Sequence, residues 1–288
     1  TARRSYRSHT KFMASQLGEP SAFRQFEHAG WQAIPDKYHS AFGHLTIQAI
    51  QPLLDAVKIR KGDKLLDIAS GPGYVAAAAA KRGAMVLGVD FSDAMISAAR
   101  TLHAGIEFRQ GDAEALPFGN SLFDAAIINF GILHLGNPDL ALAEAHRVLR
   151  PMGRLAFTVW AKPEKTIGFG IVLRAVEKYG HMNVSLPAGP PFFRFSEPSE
   201  AKRALEIAGF KSPKIKTVDQ VWRLPAGDGL FEAMRDSTVR TAGLLRAQNA
   251  EALNNIRQAI RDETQRYTKG DSVALSMPAV LASAQKPF

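Results

Sequence analysis

Three features of this chain predict a doubly wound α/β fold. Short apolar runs alternate with helical patterns from Leu45 to Trp160, and alternation of this kind builds a parallel sheet with helices on both faces. The first apolar run ends in a glycine-rich turn that opens a helix, "DIASGPGYVA". With 288 residues, 46% hydrophobic and 22% charged, the chain is long enough to bury a large core.

Taken in order, "HLTIQAIQPLLDAV" has apolar residues at helical spacing, and "KLLDIA" is a buried strand ending in a turn. "YVAAAAAKRG" is a helix closed by Gly83, and "AMVLGVD" is the second strand. "SDAMISAAR" is a helix with Ser92 as its N-cap, and "IEFRQGD" is the third strand. "FDAAIINF" is the fourth strand. The spacing of "NPDLALAEAHRVLR" predicts an amphipathic helix ended by Pro151 and Gly153, with "RLAFTVW" the fifth strand. Beyond Trp160 the rhythm changes. "FGIVLRAVEKYG" is helical, "AGPPFFRF" is an aromatic loop, and "SEPSEAKRALEIAGF" is a helix for which Ser196 and Ser199 are both possible caps. "KIKTVDQVWRL" alternates as one strand, Leu230 to Tyr267 read as two or three helices, and "AVLASAQK" is the last strand. Three segments follow: an N-terminal helical cap (1–48), a cofactor-binding half (49–160), and a C-terminal half (161–288) with cap insertions at about 161–196 and 226–270 and the last two strands.

Composition narrows the partners. No run of about 18 apolar residues exists, so no membrane-spanning helix is expected. Cysteine is absent, which excludes disulfides and thiolate chemistry and agrees with a cytoplasmic location. The net charge is +9, part of it local to Arg3, Arg4, Arg7 and Lys11, which read as a solvated arm. Acids and bases otherwise mix, with no basic stripe carrying interleaved aromatics, so no nucleic-acid partner is expected. No metal-ligand spacing appears, so no metal is expected either.

The chemistry begins at Gly71 and Gly73. Glycines at the carboxyl end of a parallel strand let backbone approach a ligand and leave the next helix's N–H groups facing it. The turn also fits the dinucleotide fingerprint ending at Ala76, so two cofactors remain open at this point. Asp90, at the end of the second strand, suits the ribose hydroxyls that both cofactors carry; its simpler role is to cap the helix near Ser92. Asp112 ends the third strand, where its carboxylate can accept from an exocyclic amine while the Ala113 N–H reaches a ring nitrogen. Phe91 and Met95 are placed to flank a purine.

Four segments in order, "LLDIASGPGY", "VLGVDFSDAMISAAR", "FRQGDAEALPFGNSLFDAAIINFGILHL" and "RVLRPMGRLAFTVW", resemble the class I S-adenosylmethionine-dependent methyltransferases. The likeness is to the small-molecule branch that includes the ubiquinone/menaquinone-biosynthesis-type enzymes, and it spans Lys64 to Trp160. It implies a seven-stranded, mostly parallel, Rossmann-like sheet whose last strand is antiparallel, with S-adenosylmethionine over the tips of strands one to three. On that resemblance Asp67, Ala69, Ser70, Gly71 and Gly73 hold the methionine moiety and Asp90 the ribose. Gly111, Asp112, Ala113 and Glu114 lie at the adenine, and Asn129 and Phe130 lie near the sulfur. Many relatives have glycine where Ala69 stands; a methyl is tolerable there if φ stays negative.

Methyl transfer from a sulfonium needs alignment and exclusion of water, and a base only when the acceptor is protonated. His134 in "GILHLGNP" is the best base candidate; capping the turn or packing under the next helix is its simpler role. Tyr38 is placed to close over the methionine part and Trp31 to line the pocket. Phe193, Arg194 and Arg240 are candidate contacts to a planar or acidic acceptor. The expected activity is methylation of a small organic acceptor, at oxygen first. The alternatives are methylation of RNA or protein, a non-catalytic cofactor binder, and a nicotinamide-dependent oxidoreductase. "NFGI" at the fourth strand tip, in place of an amine-binding tetrad, argues against a nucleobase or amide nitrogen as acceptor.

Overall fold

A computed structural model describes residues 22–288. The basic arm of Arg3, Arg4, Arg7 and Lys11 lies outside the described residues. The chain enters through α1 (Ala22–Ala33), α2 (Pro35–Ala41), α3 (Gly43–Thr46) and α4 (Ile50–Ala56). It then alternates through β1 (Lys64–Ile68), α5 (Tyr74–Lys81), β2 (Met85–Asp90), α6 (Asp93–Leu102), β3 (Glu107–Gln110), β4 (Phe123–Asn129), α7 (Pro138–Val148) and β5 (Leu149–Trp160). After β5 come α8 (Ile167–Tyr179), α9 (Pro198–Ile207), β6 (Lys211–Val218) and β7 (Val221–Pro225). The chain ends with α10 (Gly229–Asp236), α11 (Arg240–Arg246), α12 (Ala250–Thr264), β8 (Thr268–Lys269), β9 (Ser272–Ser276) and β10 (Ala279–Gln285).

The main sheet has seven strands in the order β3-β2-β1-β4-β5-β10-β6, with β10 antiparallel to both its neighbours. This is the doubly wound architecture the sequence predicts. Leu65, Leu66, Ile68, Ala126, Ile127 and Ile128 are fully buried because helices cover both faces of the central strands, which is why those strands read as continuous apolar runs. The strand order reverses between β1 and β4, so the tips of β1, β2 and β4 open on a crevice at the topological switch point.

Three local readings need correction. The helix α7 ends at Val148 and not at Arg150: Leu149 turns extended and pairs with Phe123, so β5 begins before Pro151 and absorbs "RPMG" as an irregularity. The single strand read in "KIKTVDQVWRL" is two. β6 joins the main sheet, whereas β7 pairs with β9 in a separate three-stranded sheet, β7-β9-β8. The break falls at Gln220, whose buried amide donates to the Leu45 carbonyl and pins the chain there. Neither Ser196 nor Ser199 caps α9. Glu197 occupies the N-cap position without a side-chain bond and Pro198 starts the helix, while the Ser196 hydroxyl donates to the Phe193 carbonyl. Among the described residues no helix is long and apolar enough to cross a membrane.

Candidate active site

The first strand delivers Asp67 to the crevice, buried to within 1% of full. Its Oδ2 accepts from the Ala76 N–H at the start of α5, at 3.0 Å, and its Oδ1 is buried with no partner. Burial, aided by the nearby Asp90 charge and opposed by the Ala76 bond, pushes its pKa up to about 8. The turn that follows runs through positive φ at Ala69 (53°), Gly71 (50°) and Gly73 (83°). Ala69 therefore does not keep the negative φ expected of it. The tip of β4 presses on it too, for a Cβ built on Gly131 would stand 2.5 Å from the Ala69 Cβ. Ser70 Oγ is a second buried polar atom without a partner.

Asp90 does not itself cap the helix, but it is tied to the turn and to the cap by two backbone N–H groups. Its Oδ2 accepts from the Gly71 N–H at 2.8 Å and its Oδ1 from the Ser92 N–H at 3.0 Å, and it still lines the pocket. Burial raises its pKa against the pull of those two N–H groups. Ser92 caps α6 as read, accepting from the Met95 N–H. Phe91 and Met95 both line the pocket. Asp112 accepts from the Glu114 N–H at 2.8 Å, and its other oxygen is engaged by Arg24 of α1. Gly111 and Ala113 line the same wall, while Glu114 accepts from the Asn137 N–H at 2.9 Å and so also holds the start of α7. Asn129 accepts from the Thr158 hydroxyl at 2.7 Å and donates to the Thr46 carbonyl. Phe130, at φ 56°, stacks on Trp160 with ring centres 4.0 Å apart.

The roof of the pocket is built by α1, α2, the loop before α7, the aromatic loop and the start of α11. Its organising group is Glu27, fully buried. One oxygen accepts from Arg240 Nε at 2.9 Å; the other accepts from Trp31 Nε1 and meets His134 Nδ1, each at 3.0 Å. Burial alone would raise the Glu27 pKa, but the charges and hydrogen bonds of His134 and Arg240 outweigh it and hold the carboxylate below its ordinary range. Arg240 also donates from Nη1 to the Pro190 carbonyl at 2.8 Å and lies over the rings of Phe23 and Phe192. Its Nη2 is buried with no partner. The His134 ring meets Trp31 edge-on at 4.7 Å, and Trp31 meets Tyr38 at 5.5 Å.

Residues 66–157 match the family model described as a methyltransferase domain. The ubiquinone/menaquinone biosynthesis C-methyltransferase UbiE of Haemophilus ducreyi is 30% identical over 184 residues, which are 55% of this chain and 68% of that protein. The chain belongs to the S-adenosylmethionine-dependent methyltransferases. The demethylmenaquinone methyltransferase of Renibacterium salmoninarum is 34% identical over 140 residues, 47% of this chain. This chain spans about 60% of the length of the first curated relatives it matches. A Haemonchus contortus phosphoethanolamine N-methyltransferase 2, solved with S-adenosyl-L-methionine, superposes with a TM-score of 0.56. That likeness covers 94% of this chain and 61% of the other at 18% identity, and it shows the shared fold.

Within this methyltransferase-family pocket the structure brings together Asp67, Ala69, Ser70, Gly71, Asp90, Phe91, Met95, Gly111, Asp112, Ala113, Glu114, Asn129, Phe130 and Tyr38, and with them Trp31, His134 and Arg240. Gly73 stands one turn back as the N-cap of α5, beside Phe108. Phe193 and Arg194 do not reach the pocket. Arg194 is drawn outward by Asp139, at 2.7 and 3.0 Å, and by Glu200, and Phe193 packs on Phe169 and Phe192. Phe192 lines the pocket in their place. His134 turns its Nδ1 to Glu27, and Asn137 caps the helix that follows. Glu27 was not singled out from sequence. Its signal was present, because Phe23, Glu27 and Trp31 share one face of α1 at four-residue spacing, and a carboxylate inside an apolar stripe marks a buried partner.

Proposed function

We propose that this chain transfers the methyl group of S-adenosylmethionine to a small planar organic acceptor held between the strand tips and the roof. The observation that carries this reading is the chemical division of the pocket. Its floor carries Asp67, Asp90, Asp112 and Glu114, and its roof carries aromatic rings around His134 and Arg240. The floor fits the cofactor. The unpartnered Asp67 Oδ1 and Ser70 Oγ suit the charged groups of an amino-acid moiety, and a Cβ built on Gly71 would meet nothing within 4 Å. In this reading Asp67 to Gly73 hold the methionine part, Asp90 the ribose and Asp112 with Ala113 the adenine, between Phe91 and Met95. Residues 49–160 then serve as the cofactor half, and the flanking segments supply the acceptor wall.

The cofactor supplies a methyl group on a good leaving group, so the chain's work is to align the acceptor and keep water out. Tyr38, Trp31 and Phe192 supply the dry wall. Glu27 fixes the His134 ring through Nδ1, leaving Nε2 to take a proton from the acceptor. Carbon is placed first as the methylated atom, ahead of the oxygen expected from sequence, because a relative covered over two thirds of its length is named a C-methyltransferase. Oxygen is the second reading; both start from an ionised hydroxyl. The experiment is to incubate the purified protein with S-adenosylmethionine and a panel of hydroxyaromatic and aromatic acid acceptors, and to locate any added CH2 by mass spectrometry. Turnover into S-adenosylhomocysteine with a C-methylated product supports the reading. An O-methylated product moves it to oxygen, and methyl transfer only to RNA or protein overturns it.

A further inference from the structure

We infer that Arg240 is a receptor for an anionic oxygen of the acceptor, a carboxylate, so that the roof selects aromatic acids over neutral rings of the same shape. This deepens the proposed function and rests on it.

The guanidinium is held from three sides. Nε donates to Glu27, Nη1 donates to the Pro190 carbonyl, and its plane lies over Phe23 at 4.3 Å and Phe192 at 5.5 Å. These contacts fix its orientation at little further entropic cost. Nη2 alone is left, buried, without a partner, on a residue that lines the pocket. A buried cationic N–H pair with nothing to donate to is costly unless a ligand completes it. A carboxylate is the acceptor group that matches it, through a charge-assisted bond.

Charge sorts the two ends. Asp90, Asp112 and Glu114 face the floor, with Arg24 against Asp112 and Glu114, so an acceptor anion is repelled there and drawn to the roof. At the roof the charged and titratable neighbours are Glu27 and His134. The Glu27–Arg240 pair is neutral together, so an arriving anion gains the difference between a charge-assisted and a neutral hydrogen bond rather than the full attraction of a bare cation. That difference corresponds to roughly tenfold in affinity. Of the groups at the roof, Glu27, Phe192 and Arg240 lie outside residues 66–157, the part matched by the family model.

The experiment titrates the full chain with naphthoate and with naphthamide of the same substitution, an isosteric pair differing in charge, following Trp31-region fluorescence and heat. Each titration is run with and without S-adenosylhomocysteine, so Arg240 is read whether or not the cofactor product binds. The expected result is naphthoate binding about tenfold more tightly than naphthamide. In Arg240→Lys, which keeps a cation for Glu27 but loses the fork, that preference falls to about twofold or less while the affinity for S-adenosylhomocysteine holds. Equal binding of the two probes, tighter naphthamide, binding of neither, or a preference that survives in Arg240→Lys would overturn the inference. Failure of S-adenosylhomocysteine to bind, with the naphthoate preference intact, would instead count against the proposed function.

Discussion

Replacing Glu27 by glutamine should destabilise the chain by about 2–4 kcal/mol. Glu27 is fully buried and receives Arg240, Trp31 and His134 on its two oxygens. The amide keeps one carbonyl oxygen for Arg240 Nε, but it presents an NH2 group where the Trp31 N–H and His134 Nδ1 now meet a shared oxygen. One buried donor is then unsatisfied, at about 1–3 kcal/mol. The Arg240 cation also loses its counter-charge. Breaking a buried ion pair costs about 3–5 kcal/mol, a figure to be reduced because the Arg240 side chain is 19% exposed. Differential scanning calorimetry should show Tm lower by roughly 5–12 °C. Acid provides the control. The folded-state pKa of Glu27 is depressed, so its contribution is present above its ordinary value of 4.5 and fades as pH falls through the depressed value. The gap between wild type and Glu27→Gln should therefore close in acid. A neutral-pH difference under about 0.5 kcal/mol, or a gap that persists below the range where carboxylates titrate, would refute the buried cluster.

Further outcomes follow from the floor of the pocket. Asp90→Ala removes the acceptor of the Gly71 and Ser92 N–H groups and the expected ribose ligand, so calorimetry should show S-adenosylhomocysteine binding weakened by about 1–3 kcal/mol; unchanged affinity would displace the ribose from Asp90. Ala69→Gly relieves a left-handed alanine and should raise stability by up to about 1 kcal/mol after the entropy of glycine is counted, seen as a Tm higher by roughly 2–4 °C. A lower Tm would mean the turn is unstrained at that residue. Asp67, whose folded pKa is raised to about 8, holds its proton in the native state over a range where the unfolded chain has lost it, so without ligand stability falls as pH rises toward that value. In Asp67→Asn that fall should be missing from urea unfolding measured across the same pH range, and its persistence would show that another group causes it.

What the sequence made legible was whatever one segment decides by itself. The apolar runs of β1, β2 and β4, the Ser92 cap and the order of the acids at Asp67, Asp90 and Asp112 each follow from residues within a few positions of one another. Features settled by distant partners were not legible. β5 starts at Leu149 because Phe123 is there to pair with it, and β6 parts from β7 because Gln220 finds the Leu45 carbonyl. Ala69 takes positive φ because the turn demands it, although no side chain favours that region. The roof shows the same division. Arg194 and Arg240 look alike as arginines near aromatic residues, and only the three-dimensional positions of Asp139 and Glu27 send one outward and the other into the pocket.

The floor of this pocket is proposed as an S-adenosylmethionine site, and the first test is calorimetric titration with S-adenosylhomocysteine, with NAD in parallel. Binding of S-adenosylhomocysteine at about micromolar strength, near −8 kcal/mol, with no heat from NAD is the predicted result. Binding of NAD alone, or of neither, would contradict it.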